Sequence, residues 1–214
     1  MGQESSKETR ESLKPGDHIY TWRTAYLYAH HGIYIGEETV IHFTVNGQSS
    51  TRTISSSSNS IHRCQRPTCM DPHKANGVVS SCLDCFLAGG GDVCRYEYGV
   101  SQVYFFVRLR AGTCTLAASD EDEIVVRRAK YVLEKGFPSY NLFKNNCENF
   151  AVYCKTGRVD VNFGEIGQSG QINAILPASL RIFKTDIGLR NLPKLEPEEL
   201  AATLQKMVSQ LQSQ

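Results

Sequence analysis

Ala29-His30-His31-Gly32-Ile33-Tyr34-Ile35-Gly36-Glu37-Glu38-Thr39-Val40-Ile41-His42-Phe43 decides how this 214-residue chain is read. β-Branched and aromatic residues on both sides of Gly36-Glu37-Glu38 predict two strands, over residues 26–35 and 39–45, joined as a hairpin. With Gly32 opposite His42, His30 and His42 share one face as diagonal neighbours, with roughly 7–8 Å between their backbones. His31 points the other way with Ala29, Ile33 and Ile35, because successive strand residues alternate. The alternation favours His30 as the functional imidazole and His31 as a half-buried structural one, while the spacing alone leaves both open.

Working outward, Lys14-Pro15-Gly16-Asp17 predicts a turn and His18-Ile19-Tyr20-Thr21-Trp22 a strand, behind a tail over residues 1–14. Val103, Phe105, Val107 and Leu109 alternate, which predicts a further strand over residues 102–110. Asp120 and Glu123 read as a cap pair for a helix with Ile124, Val125, Ala129, Val132 and Leu133 on its apolar side. Gly136 and Pro138 stop it. A second helix is predicted from Cys147 to Thr156, closed by Gly157. A nucleophilic thiol needs a lowered pKa, and a helix N-terminus supplies partial positive charge and free N–H groups. An imidazole can take the thiol proton and return it to a leaving group, and a further polar group orients that imidazole. Cys147 and the hairpin histidines are therefore the candidate site.

The start, Met1-Gly2-Gln3-Glu4-Ser5-Ser6, has no apolar stretch of a secretory leader, which predicts a cytoplasmic chain. In that setting the eight cysteines point to catalysis or metal rather than disulfides. Gly2 followed by Ser6 fits the N-myristoylation pattern. A single acyl chain binds membranes only marginally, so the expectation is peripheral association. No apolar run reaches the ~18 residues of a spanning helix. The balance of 23 basic and 22 acidic side chains argues against nucleic-acid binding through net charge.

Residues 46–95 read as a Cys- and Ser-rich insertion. Within it Cys64-x4-Cys69 and Cys82-x2-Cys85 offer two chelate arms for a tetrahedral, structural Zn²⁺, with His62, His73 and Cys94 as substitute ligands. A metal would explain how so long a polar segment stays ordered; reduced surface thiols are the plainer alternative. Residues 161–195 form an extension. Over 196–214, Leu200, Leu204, Met207, Val208 and Leu211 recur at helical spacing. That amphipathic helix suits packing on its own domain, and secondarily a protein partner or a second copy.

Three ordered blocks resemble the lecithin:retinol acyltransferase-like (LRAT) family. They are H-x-G-I-Y-x-G from His30 to Gly36, V-I-H ending at His42, and N-C-E-x-F around Cys147. Leu13-Lys14-Pro15-Gly16-Asp17-His18-Ile19-Tyr20 and Ser81-Cys82-Leu83-Asp84-Cys85-Phe86-Leu87 are similar to its plant members. The likeness covers residues 13–157, with the domain placed at 15–160. It implies an α+β, permuted papain-like fold whose antiparallel sheet carries the histidines and whose helix carries the cysteine. It further implies Cys147 as acyl-accepting nucleophile, His30 as base and His42 as the group orienting His30, with no catalytic cofactor. The implied reaction is acyl transfer or hydrolysis through a thioester formed from a phospholipid or related ester at a membrane surface. Asn149 stands where the family carries histidine, residues 46–95 are extra relative to compact animal members, and a polar helix replaces their hydrophobic C-terminal anchor. The rival reading keeps the fold without catalysis, as an adaptor binding partners through the insertion or the C-terminal helix. A cysteine peptidase or deubiquitinase shares the fold logic but finds no peptide-specific feature here.

Overall fold

The computed structural model describes residues 7–23, 28–44, 64, 69, 77–87, 91–107, 113–135, 147–158 and 189–212. The hairpin forms as β2 (Tyr28–Gly36) and β3 (Thr39–Thr44), antiparallel, with Gly32 opposite His42 and Ile33 opposite Ile41. Glu37 and Glu38 make the turn, both at positive φ (50° and 55°). Such a turn matches the right-handed twist of the strands it joins. β1 (His18–Arg23) lies on the other edge of β2, β4 (Gly77–Cys82) on β3, and β5 (Cys94–Arg95) on β1. The result is a five-stranded antiparallel sheet of order β4-β3-β2-β1-β5. With α1 (Leu83–Phe86), α2 (Gln102–Val107), α3 (Asp122–Lys135), α4 (Cys147–Thr156) and α5 (Pro197–Gln212) the architecture is α+β.

The alternation of β2 and β3 builds two cores. Ile33, Ile41 and Phe43 face Val125, Ala129 and Val132 of α3, Phe150, Ala151, Tyr153 and Cys154 of α4, and Leu200 of α5. Tyr34 and Val40 point to the opposite face, where Ile19, Leu83, Phe86 and Leu87 cover them. The candidate site thus draws residues from both faces, because His30 belongs to the α1 side and α4 packs on the other.

Four features differ from expectation. Alternation over residues 102–110 predicts a strand, yet Gln102–Val107 is helical. Ser101 Oγ accepts the Tyr104 N–H (3.2 Å), a helix-start bond, and Val103 is 74% exposed, so the alternation does not mark two buried faces. From Lys7 onward the expected tail is pinned to the domain. The Glu8 N–H donates to Val93 O (2.9 Å), Leu13 joins the core, and Arg10 pairs with Glu38 and Asp84. Part of the expected insertion is sheet, since Val78 and Val79 sit in β4 opposite Phe43 and His42. Asp120 does not cap α3; its carboxylate binds Arg128 (2.7 Å) and Lys194 instead. Arg128, 1% exposed, also donates to Glu196 (2.8 Å) and Cys154 O (3.3 Å), tying α3 to α4 and to the residue before α5.

Candidate active site and cysteine cluster

Cys147 is the first residue of α4, and its Sγ meets the backbone of β2 on either side of His30. The His31 N–H donates to it (3.4 Å) and the thiol donates to Ala29 O (3.8 Å). The β2–β3 ladder pairs from Gly36 back to Gly32, so the thiol contacts β2 just past the last paired residue. The His30 ring is bonded through Nε2 to His42 Nδ1 (3.0 Å), and His42 Nε2 is bonded to Ser81 Oγ of β4 (2.9 Å). Phe86 of α1 packs on both imidazoles, with ring centroids 5.2 Å from His30 and 5.4 Å from His42. His42 is 1% exposed, whereas His30 and Cys147 are only half-buried and so stay open to an incoming group. Gly32 makes this fit. A Cβ there would stand 2.6 Å from Val40 Cγ1, 2.9 Å from Phe86 Cε2 and 3.1 Å from His42 Cβ.

Electrostatics hold these groups neutral. Burial pushes the Cys147 thiol up to about 11, with Glu148 adding to the rise and the N–H groups of His31, Cys147 and Glu148 opposing it. Burial, then His42, Arg23 and His31, hold His30 well below the ordinary imidazole value; burial and Arg23 bring His42 to about 3. Glu148 is raised to about 7 by burial. Burial thus favours the uncharged form of both Cys147 and His30.

His31 occupies the other face. It is fully buried, beyond the half-burial expected, and its Nδ1 is bonded to His18 Nε2 (2.9 Å), whose Nδ1 is bonded to Tyr98 Oη (2.7 Å). The spacing pointed to neither His18 nor Tyr98, because each is an isolated polar residue in its own segment.

The four cysteines expected to bind metal lie together. The Sγ atoms of Cys64, Cys69, Cys82 and Cys85 all fall within 4.8 Å of one another. A Zn²⁺ with four thiolates at about 2.3 Å has its sulfurs roughly 3.8 Å apart, and the Cys64–Cys82 pair stands at 3.5 Å. The Cys82 N–H donates to Cys69 Sγ (3.3 Å), as backbone amides do toward thiolate ligands. These residues could hold a metal ion. Cys94 cannot join them, because β5 is the opposite edge of the sheet. Cys154 and Cys114 are buried. Gly2, His62 and His73 lie outside the described residues. Ser81 and Phe86 were not singled out as site residues by the sequence; Ser81 reaches His42 only through the pairing of β4 with β3.

A sheet with paired histidines and a helix-start cysteine seated on the histidine strand's backbone defines a class of thiol-bearing α+β domains. The lecithin retinol acyltransferase family model matches residues 11–160, and the chain belongs to that LRAT family. It is 46% identical over 239 aligned positions to Protein LEAD-SENSITIVE 1 of Arabidopsis thaliana, covering 95% of this chain and 92% of that protein. Among the described residues no helix is long and apolar enough to cross a membrane.

Proposed function

We propose that the chain is a thiol acyltransferase or phospholipase that carries an acyl group on Cys147. The observation carrying this reading is the seat of Cys147 Sγ on the β2 backbone flanking His30, whose ring is bonded to His42. His30 takes the thiol proton as Sγ attacks an ester carbonyl, typically of a phospholipid. The α4 N-terminus favours the negative oxygen of the tetrahedral intermediate. Collapse breaks the ester C–O bond; the departing lysolipid oxygen takes the proton back from His30, and a thioester remains on Cys147. Water, an alcohol or an amine then attacks the thioester, regenerating the thiol. His42 orients His30 throughout.

The reading includes a peripheral place at the cytoplasmic side of membranes, aided by a myristoyl group on Gly2, and a structural Zn²⁺ on the four clustered cysteines. The Arabidopsis relative is named for sensitivity to lead, and a four-thiol site has the ligand softness that such cations favour. The C-terminal helix is assigned to its own domain through Leu200, leaving any partner or dimer contact secondary.

The test incubates wild type and Cys147→Ala with phosphatidylcholine vesicles and follows intact mass and released fatty acid. The expected result is an acyl-mass adduct on wild type alone. A folded wild type with neither adduct nor fatty acid would favour the adaptor reading. Gly2→Ala is expected to reduce co-sedimentation with vesicles when the chain is made with N-myristoyltransferase.

A further inference from the structure

The cluster of four cysteines and the pair of histidines share a backbone segment. Ser81-Cys82-Leu83-Asp84-Cys85-Phe86 contains the whole C-x2-C arm, and its two end residues are the ones that touch the imidazoles. Ser81 immediately precedes the ligand Cys82 and bonds His42 Nε2 (2.9 Å). Phe86 immediately follows the ligand Cys85 and packs on the rings of both His30 and His42. Its carbonyl also accepts from Arg23, the cation whose charge bears on both imidazoles. The segment is the end of β4 plus the single turn α1, and four residues of helix are too few to hold a fixed geometry by themselves. The second arm, Cys64 and Cys69, lies 18 and 13 residues upstream of Cys82 and closes the set of four sulfurs.

We propose that a thiophilic divalent cation, Zn²⁺ by ligand type, bound by Cys64, Cys69, Cys82 and Cys85, positions the His30–His42 pair through Ser81 and Phe86. Binding the ion fixes the Cys82 and Cys85 backbones relative to each other and to the Cys64–Cys69 arm. That fixes Ser81 Oγ under His42 Nε2 and the Phe86 ring over both imidazoles, so His42 keeps one tautomer and His30 one orientation. Without the ion, the cysteine side of α1 is held only by weak S–H contacts, leaving the buried Leu83 and Phe86 and the Leu83 N–H bond to Glu38 O (2.8 Å) to hold the turn, so the imidazoles keep a looser common reference. The ion takes no part in bond making or breaking. Ser81 and Phe86 are positioning residues, and the inference rests on the catalytic reading only for its consequence on rate.

The test uses the full chain with ¹⁵N-labelled histidine, loaded with zinc, chelated and reloaded. One zinc per chain by native mass spectrometry is expected, together with a defined His42 tautomer in the imidazole ¹⁵N spectrum that is lost on chelation and restored on reloading. Cys64→Ser is the informative variant, since it removes a ligand from the arm outside Ser81–Phe86: it should lose the metal and disturb the His42 signals. Ser81→Ala should retain one zinc while disturbing the same signals. A chain that retains no zinc, or imidazole signals indifferent to metal and to Cys64→Ser, overturns the proposal. Should chelation or Cys64→Ser unfold the chain, exchange of Zn²⁺ for the larger Cd²⁺ in the folded protein decides. Displaced His42 signals support the coupling, and unchanged ones overturn it. In parallel, acylation of Cys147 by an activated ester should fall about tenfold or more on metal loss, as expected for a misplacement near 1 Å. The imidazole spectrum needs no ester. A chain with metal-sensitive histidines and no thioester therefore keeps this inference while losing the catalytic reading.

Discussion

Cys147 and His30 sit in surroundings that favour the uncharged form of each, the thiol at about 11 and the imidazole well below its ordinary value. At pH 7 only about one thiol in ten thousand is then ionised, so reactivity toward a small alkylating agent depends on rare thiolate. Carbamidomethylation of Cys147, resolved from the other cysteines by peptide mass spectrometry, is expected to accelerate about tenfold per pH unit from 7 to 10. A plateau near pH 6–7 would instead reveal a preformed thiolate–imidazolium pair and contradict this account. Gly32 gives a second prediction at this scale. Because an added Cβ would press on Val40, Phe86 and His42 at once, Gly32→Ala should cost about 1–3 kcal/mol of stability by overpacking. It should also slow thioester formation by more than the lost stability accounts for, since Phe86 and His42 both hold the His30 ring. The register assumed for the hairpin, Gly32 opposite His42, is the one that forms, and with it the alternation favoured His30 over His31 where spacing alone left both open. The partners of His42 beyond His30 were not legible in the sequence, because Ser81 lies in a polar stretch whose pairing depends on a strand edge far away in sequence.

The hairpin and the helices after Asp120, Asn146 and Glu196 formed where the sequence places them, whereas the alternation over residues 102–110 gave no strand. The β2–β3 hairpin and α4 follow from alternation and from the Gly157 stop, which adopts φ +68°. Helix α2 appears where alternation suggested a strand, because Ser101 offers a cap and Val103 finds solvent rather than a second core. The hairpin carries a testable flaw. Glu37 and Glu38 both hold left-handed conformations that cost an L-residue about 1–2 kcal/mol each relative to glycine. The double substitution Glu37→Asn with Glu38→Gly supplies the asparagine–glycine pair that such a turn prefers. It should raise stability by about 1 kcal/mol in urea denaturation, even after losing the exposed Arg10–Glu38 pair (3.1 Å). Arg128 is the opposite case, a buried cation joining α3 to Asp120, α4 and Glu196. Arg128→Ala should destabilise by about 3 kcal/mol, the low end for a broken buried pair because Glu196 is partly solvated. An unfolding midpoint unchanged by Arg128→Ala would show that the link between α3 and α5 carries no weight.

Four of the chain's six histidines stand in one sheet, and their combined titration governs how the whole molecule responds to pH. Burial holds His31 and His42 to about 3 and keeps His18 and His30 well below 6.5. For a group depressed in the folded state, the unfolded chain binds the extra proton, so the contribution is complete above 6.5 and lost as pH falls toward 3. Glu148 acts oppositely. Raised from 4.5 to about 7, it contributes below 4.5 and its contribution is lost as pH rises through 7. Between pH 6 and 4.5 the four imidazoles outweigh the single carboxyl, giving a net fall of between about 1.4 and 4 kcal/mol per pH unit. A domain at the lower end of ordinary stability, about 5 kcal/mol, should then unfold in mild acid, while at pH 7 and above the imidazole contribution is complete. Loss of metal from the cysteine cluster in acid acts in the same direction, so the profile of the wild type alone does not isolate the histidines. His31→Gln does, since it leaves Cys64, Cys69, Cys82 and Cys85 in place and removes one titrating group. Its urea-unfolding free energy, plotted against pH from 7 to 5, should fall less steeply than that of wild type by about one proton, or 1.4 kcal/mol per pH unit. Parallel slopes for the two proteins would mean that His31 is protonated as readily in the fold as outside it, and that the buried His18–His31 pair is not dry.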